Sequence, residues 1–134
     1  MTKLTDRVKM YTDGACRGNP GPGGWGVIII DEHKSKEYSG FDETTTNNRM
    51  EMMASIEGLK IIPTDCKVTL YTDSMYLKNG INDWMPKWKA NGWKTSARKP
   101  VKNKDLWVEL DELVSYREVI WSWVRGHSGN PGNE

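Results

Sequence analysis

Two aspartates occupy the same local context in this sequence. A Tyr-Thr-Asp triplet ends at Asp13 and a second one ends at Asp73, and each follows alternating apolar and polar residues typical of a β-strand. If the two strands are parallel neighbours, both carboxylates emerge at the sheet edge where open α/β sheets place ligands. Glu51 lies in the predicted first turn of the intervening helix. Three converging carboxylates repel one another unless a cation lies between them, so the pattern favours a site for a hard divalent ion such as Mg²⁺.

Each acid also has a purely structural interpretation. Asp13, followed by glycine, could form an Asx turn. Asn48 and Glu51 have the spacing of a capping box, and Asp73 or Ser74 could cap the next helix. These alternatives explain the acids singly, but capping does not require the duplicated triplets.

His127 lies between two glycines in a predicted loop, where a side chain is exposed. A histidine there could shuttle a proton to a leaving group near neutral pH. The alternative is a loop histidine with no chemical role.

A basic segment, residues 84–104, has no acidic residue. It holds seven of the 19 lysines and arginines, so the rest of the chain carries 12 basic against 18 acidic residues. Trp84, Trp88 and Trp93 lie among these cations. Lysines meet phosphates and aromatic faces pack on sugars or bases, which favours a projecting nucleic-acid-binding element. The alternative is a solvated helix whose tryptophans belong to the core. The seven cations are Lys87, Lys89, Lys94, Arg98, Lys99, Lys102 and Lys104.

Residues 21–26 match the G-x-G-x-x-G dinucleotide-binding pattern. That motif must open a helix, whereas these glycines lead into a predicted strand at 25–30, so we reject a dinucleotide site. The glycines either allow close backbone approach or form turns.

The elements that must position these residues follow from periodicity and from proline and glycine. Potential N-caps at 44–48 predict the start of a helix, and Pro63 predicts its end. The other helices are predicted at 74–79, closed by Gly80, and at 81–90 and 105–115. Strands are predicted from Val8 to Asp13 and at 25–30, 36–41, 67–72 and 118–124, with loops at 14–24 and 126–133. The order β-β-β-α-β-α-α-α-β predicts an α/β fold with a mixed sheet and helices on its faces.

The composition is that of a globular domain. The chain has 134 residues, of which 37% are hydrophobic and 28% charged, which predicts one domain spanning 1–134 and argues against disorder. The longest apolar run, 27–30, is far shorter than the roughly 18 residues of a membrane span, and the N-terminus lacks the apolar core of a signal peptide. Cys16 and Cys66 are predicted to be free thiols in a reducing compartment. We therefore expect a cytoplasmic monomer with no membrane partner.

Five short motifs resemble bacterial type 1 ribonuclease H in order and spacing. They are YTDG at 11–14, GNPG at 18–21, TNNRME at 46–51, TDS at 72–74 and GHSG at 126–129. The basic segment resembles the basic protrusion of that family, at about 81–104. The resemblance implies a mixed five-stranded sheet flanked by helices, and Mg²⁺-dependent endonucleolytic hydrolysis of RNA paired with DNA, with Mn²⁺ as an alternative ion.

The resemblance also implies roles for individual residues. Asp13, Glu51 and Asp73 match the metal-binding carboxylates and His127 matches the catalytic histidine, in a two-metal mechanism in which Asp13 bridges the ions. Thr46 matches a phosphate contact, and Met75 departs from the glutamine common at that position. The matched hybrid-binding positions are Cys16, Asn19, Asn47 and Asn48, and the basic segment adds Trp84, Lys87, Trp88, Lys89, Trp93 and Lys94.

The family pattern has a fourth metal-binding aspartate three residues after the position of Glu134, followed by a C-terminal helix. The sequence as given ends at Glu134. An alternative expectation is therefore a hybrid-binding module with weak or no catalysis. A third interpretation is a nuclease or recombinase of the same fold that acts on DNA.

Overall fold

A computed structural model describes residues 7–18, 20–32, 34–94 and 101–124, and all structural statements concern these residues. The strands are β1 (Arg7–Cys16), β2 (Gly21–Ile30), β3 (Ser35–Thr45), β4 (Lys67–Thr72) and β5 (Glu118–Trp123). The helices are α1 (Asn47–Ile61), α2 (Met75–Asn79), α3 (Met85–Ala90) and α4 (Lys104–Ser115), and a π-helical turn (Gly80–Trp84) joins α2 to α3.

The five strands form one mixed sheet in the order β3-β2-β1-β4-β5. β1, β2 and β3 are antiparallel neighbours, whereas β4 runs parallel to both β1 and β5. The predicted α/β class and mixed five-stranded sheet are confirmed. The parallel pairing of β1 and β4 is the condition on which the convergence of the two aspartates depends.

The core lies between the sheet and one layer of helices. Met10 of β1 and Leu70 of β4 are fully buried against the same cluster as Ile56 of α1 and Leu110 of α4. Leu77 of α2 and Met85 of α3 join this cluster, so the described helices share one face of the sheet. Four tryptophans belong to the core or its margin, since Trp107 is fully buried and Trp25, Trp121 and Trp123 pack against the cluster.

Three strands are longer than the sequence pattern predicts, and one of them is β3, which was predicted at 36–41 and spans Ser35–Thr45. β1 continues past Asp13 to Cys16, and β2 begins at Gly21 rather than Trp25. The ladder between them runs as far as the Cys16 and Gly23 pair. Glycines carry no side-chain signal for a strand, which is why the pattern predicted a loop. Because these glycines form a strand, they do not open a helix and the rejection of a dinucleotide motif is confirmed.

The helix boundaries agree with the sequence, except that the helix predicted at 81–90 is divided into the π-helical turn and α3. α1 ends at Ile61, just before Pro63 as predicted. α2 ends at Asn79 with Gly80 as its C-cap, as predicted. The φ of −65° and ψ of −48° at Gly80 are nevertheless right-handed helical, so the chain continues directly into the π-helical turn.

The basic segment leaves and rejoins the body through a short turn after α3. Gly92 and Trp93 have φ of +77° and +66°, so the helical path of α3 does not continue beyond them. The Val101 N–H donates to the Trp93 carbonyl at 3.1 Å, and Val101 is buried. This bond joins the described residues on the two sides of 95–100, which lie outside the described residues.

Cys66 is buried and Cys16 is half-buried, and neither forms a disulfide, as predicted. None of the described helices combines the length and the apolar character needed to cross a membrane.

Candidate functional site

The structure brings Asp13, Glu51 and Asp73 together. One carboxylate oxygen from each lies within 4.8 Å of an oxygen of the other two. Asp13 is exposed, whereas Glu51 and Asp73 are half-buried. The cluster is therefore open to solvent on the Asp13 side and partly desolvated on the other.

The register of β1 and β4 places the two aspartates side by side. Tyr11 pairs with Tyr71 in the parallel ladder, and each aspartate follows two residues later. Thr12 and Thr72, between tyrosine and aspartate, are both buried, and the Thr12 hydroxyl donates to the Tyr71 carbonyl at 3.4 Å. The duplicated triplets are thus equivalent positions on neighbouring strands.

Gly14 allows the third carboxylate to reach the other two. A Cβ added at Gly14 would lie 2.6 Å from the Met50 carbonyl oxygen and 2.5 Å from the Glu51 nitrogen. Any side chain at position 14 would push α1 away from β1. In the sequence, the Asp-Gly pair at 13–14 indicates only a turn. The close approach of α1 to β1 at Gly14 was therefore not predicted.

The helix-capping interpretations of these acids are wrong. Thr46 caps α1, because its hydroxyl oxygen accepts from the Arg49 N–H at 3.2 Å, and Glu51 is the fifth helical residue rather than part of the first turn. Ser74 caps α2 by accepting from the Leu77 N–H at 3.1 Å. Asp13 lies inside β1 and not in a turn. Capping therefore accounts for none of the three carboxylates.

The donor set of the cluster suits a hard divalent cation. All three side chains offer carboxylate oxygens, the ligands that Mg²⁺ and Mn²⁺ take. Three negative charges this close repel one another, and a bound cation removes that repulsion. The residues present therefore fit a divalent metal.

Several predicted substrate contacts lie at the same sheet edge. Thr46, Asn47 and Asn48 begin α1 directly after β3, and Cys16 ends β1. The Cys16 thiol donates to the Thr45 carbonyl at 3.2 Å and contacts the Gly21 carbonyl at 3.3 Å. Cys16 thus ties together the ends of three strands next to the cluster. Asn19 and His127 lie outside the described residues.

The tryptophans of the basic segment form a continuous aromatic row. The ring centroids of Trp84 and Trp88 are 5.7 Å apart, and those of Trp88 and Trp93 are 6.3 Å apart. Each ring is half-buried and packs against the core. The core interpretation thus describes part of each ring, and the rest of each side chain is exposed.

The lysines of the segment differ in their surroundings. Lys87, Lys89 and Lys94 are exposed, but the Lys89 ammonium donates to the Asp111 carboxylate of α4 at 3.1 Å. Lys89 is therefore partly neutralised, a difference that the sequence does not reveal. Arg98 and Lys99 lie outside the described residues.

A polar network that the sequence did not predict joins the start of α1 to the start of α4. The Arg49 guanidinium donates to both Asp105 carboxylate oxygens, at 3.0 and 2.8 Å, and to the Asn103 side-chain oxygen at 3.0 Å. The hydrogen bond from Arg49 lowers the pKa of Asp105 below its usual value, and the same bond raises the pKa of Arg49. The only signal in the sequence was the place of Arg49 between Asn48 and Glu51.

The chain is similar to known proteins along nearly its full length. The family model described as RNase H matches residues 5–134. A ribonuclease H of Pseudomonas entomophila (strain L48) is 59% identical over 131 residues, which cover 98% of this chain and 88% of that protein. A ribonuclease H of Francisella tularensis subsp. novicida (strain U112) is 59% identical over 132 residues, covering 98% and 87%.

Solved structures show the same similarity. LC9-RNase H1, described as a type 1 RNase H with the type 2 active-site motif, has a TM-score of 0.84 and 32% identity, and the match covers 99% of this chain and 69% of that one. LC11-RNase H1, solved in complex with an RNA/DNA hybrid, has a TM-score of 0.67 and 25% identity, covering 90% and 86%.

Proposed function

The chain belongs to the ribonuclease H family, and on that premise we propose that it is an endonuclease that hydrolyses the RNA strand of RNA–DNA hybrids with the help of divalent metal ions. The observation that carries the proposal is the convergence of Asp13, Glu51 and Asp73 on one point of the sheet edge. Relatives named ribonuclease H, and a similar structure solved with an RNA/DNA hybrid, support the substrate class.

Asp13, Glu51 and Asp73 would hold the metal, with Mg²⁺ as the proposed ion and Mn²⁺ as the alternative. Bound ions of this kind supply an activated water and stabilise the negative charge of the leaving 3′ oxygen. Asp13 is the exposed member of the cluster and would be the most accessible to a substrate phosphate, whereas Glu51 and Asp73 are half-buried.

The start of α1 would bind the hybrid close to the cluster. Asn47 and Asn48 offer amide groups that both donate and accept, which suits 2′-hydroxyls in the minor groove, the groups that distinguish RNA from DNA. The Thr46 hydroxyl oxygen accepts in its cap, and a hydroxyl in that role can still donate its proton to a phosphate oxygen. Cys16 holds this region through its bonds to neighbouring carbonyls.

The basic segment would bind the hybrid farther from the cluster. Lys87 and Lys94 are exposed cations suited to phosphates, and Lys89 would contribute less because of its bond to Asp111. The exposed parts of Trp84, Trp88 and Trp93 would supply the aromatic contacts on which sugars or bases can pack. Binding at both places would align the duplex with the carboxylates.

His127 as a proton shuttle and Asn19 as a substrate contact remain predictions from the resemblance. The single domain, the monomeric state and the cytoplasmic location also remain predictions.

The test is incubation of the chain with an end-labelled RNA–DNA hybrid and Mg²⁺, beside duplex DNA and duplex RNA of the same sequence. We expect internal cuts in the RNA strand of the hybrid alone, and loss of cutting when the metal is chelated. Binding without cutting would support the hybrid-binding alternative, and cutting of duplex DNA would support the third interpretation.

A further inference from the structure

Arg49 joins the two parts of the protein that are proposed to bind the hybrid. It is the third residue of α1, between the proposed contacts Asn47 and Asn48 and the cluster carboxylate Glu51. Its guanidinium reaches Asn103 and Asp105, where the basic segment ends and α4 begins. A bidentate arginine–carboxylate pair fixes both distance and orientation, which a single-point contact does not.

Asn103 extends this contact into the aromatic row. It precedes α4 with a left-handed φ of 60° and ψ of 30°, and its side chain makes no capping bond to the helix. Instead its oxygen accepts from Arg49 and its amide donates to the Tyr76 hydroxyl at 3.0 Å. Tyr76 also accepts from the Trp107 indole N–H at 3.3 Å, and its ring contacts that of Trp84. One set of bonds thus connects α1, α2 and the end of the basic segment.

Stability alone does not explain this arrangement. The Asp105 side chain is 64% exposed, and exposed ion pairs contribute little to folding. α1 and α4 are held by the buried cluster that they share, and a second ion pair, Lys60 with Glu109 at 2.8 Å, joins the same two helices away from the cluster. The distinguishing feature of the Arg49 pair is its place between the two binding regions.

We propose that Arg49 and Asp105 are a positioning pair that sets the basic segment relative to the carboxylate cluster, so that a hybrid held by the segment presents its scissile phosphate in register. The inference rests on the proposed function. Neither side chain needs to touch the reacting atoms, since the pair acts through α1 and the end of the segment.

The variants are Arg49→Lys, Asp105→Asn and their double mutant. Arg49→Lys keeps the positive charge but cannot make the bidentate contact with the carboxylate. Glu109→Gln is the matched control, because it breaks the other ion pair between the same helices. We expect the single-turnover cutting rate at saturating hybrid to fall roughly 10- to 100-fold in both single variants, the scale expected for a misplaced substrate. The double mutant should be no worse, and Asp105→Glu should recover part of the rate.

Three further readouts separate positioning from other roles. The dissociation constant of the hybrid and its salt dependence should stay unchanged, because no phosphate contact is lost. The cut positions on a uniquely labelled hybrid should spread in the variants but not in Glu109→Gln. Wild-type cutting in both variants, an equal loss in Glu109→Gln, or a reduced salt slope in Arg49→Lys with no effect of Asp105→Asn would overturn the inference.

The proposed function can fail separately. If the wild-type chain binds the hybrid without cutting it, the endonuclease proposal fails, and hydroxyl-radical footprints of the DNA strand then test the pair. Footprints that shift in the variants support positioning, and unchanged footprints overturn it. A chain that binds no hybrid overturns both.

Discussion

The rings of Tyr11 and Tyr71 stack with their centroids 4.6 Å apart and their planes 11° from parallel. The two tyrosines are register partners on parallel strands, and each precedes a cluster aspartate by two residues. A shift of one residue between β1 and β4 would turn alternate side chains to the opposite face. The stack therefore marks the register that sets Asp13 beside Asp73.

Asp13→Asn should abolish cutting while the hybrid stays bound. The variant removes the exposed ligand of the metal, and we expect the rate to fall by roughly 10²-fold or more, the scale of a lost electrostatic contact in a catalytic site. The fold should persist in the absence of metal, because one charge leaves a repulsive cluster. Single-turnover cutting and gel-shift binding measure the two effects.

Asp65→Asn is the control for this variant, since Asp65 lies at the opposite end of β4 from Asp73. Cutting by Asp13→Asn at the wild-type rate would refute the metal-ligand assignment.

Gly14→Ala should damage the site without removing a ligand. The added methyl group collides with the backbone of α1 at Met50, so Glu51 must move away from Asp13. A displacement of about 1 Å can cost roughly 10²-fold in rate. We expect slower cutting and a smaller rise in melting temperature on adding Mg²⁺.

Gly26→Ala is the matched control for Gly14→Ala. Gly26 pairs with Asp13 in the ladder, but a Cβ there meets only the Tyr38 carbonyl at 3.9 Å. Equal behaviour of the two alanine variants would show that close helix approach is not needed.

The lysines of the basic segment should contribute unequally to hybrid affinity. Replacing Lys87 or Lys94 with alanine should lower the slope of log affinity against log salt by roughly 0.9 each, on the value for duplex DNA. Lys89→Ala should lower it less, because that ammonium is bound to Asp111. Affinity titrations at four salt concentrations measure these slopes.

Lys67→Ala is the control variant, and it should leave the slope of log affinity against log salt unchanged. Lys67 begins β4 at the end away from the cluster. Unchanged slopes in Lys87→Ala and Lys94→Ala would show that the segment is a solvated face.

Ser55→Ala should stabilise the protein. The Ser55 hydroxyl is fully buried in α1 and has no hydrogen-bond partner within the part of the chain that the structure describes. Burying an unpaired hydroxyl costs about 1–3 kcal/mol, so we expect a gain of about 1 kcal/mol in the free energy of unfolding. Urea denaturation measures this free energy.

Ser74→Ala is the contrasting variant, because it removes the α2 cap and should lower the free energy of unfolding by about 1 kcal/mol. A loss in both variants would mean that Ser55 has a partner.

The contribution of Asp105 to stability should disappear in acid. Its folded-state pKa lies below the ordinary value of 3.8, so the ion pair with Arg49 stabilises the fold above that pH and is lost as the pH falls through the folded-state pKa. The difference in unfolding free energy between wild type and Asp105→Asn should be constant near pH 7 and shrink below about pH 4. A difference that does not shrink on acidification would show that Asp105 acts through something other than its charge.

The sequence by itself determined the elements and the acids. The duplicated Tyr-Thr-Asp triplets, the caps before α1 and the stop at Pro63 are local signals, and local backbone preferences act within a few residues. They predicted an α/β fold, a mixed sheet and a meeting of Asp13 with Asp73. The basic segment was equally visible, because charge needs no tertiary context.

Only the tertiary structure decided which of these residues act together. The close approach at Gly14, the bond between Lys89 and Asp111 and the pairing of Arg49 with Asp105 join residues far apart in sequence. Periodicity carries no information about such pairs, because they depend on how helices pack against the sheet and against each other. The half-burial of Trp84, Trp88 and Trp93 was undecided for the same reason, since one side of each ring faces a core assembled from distant elements.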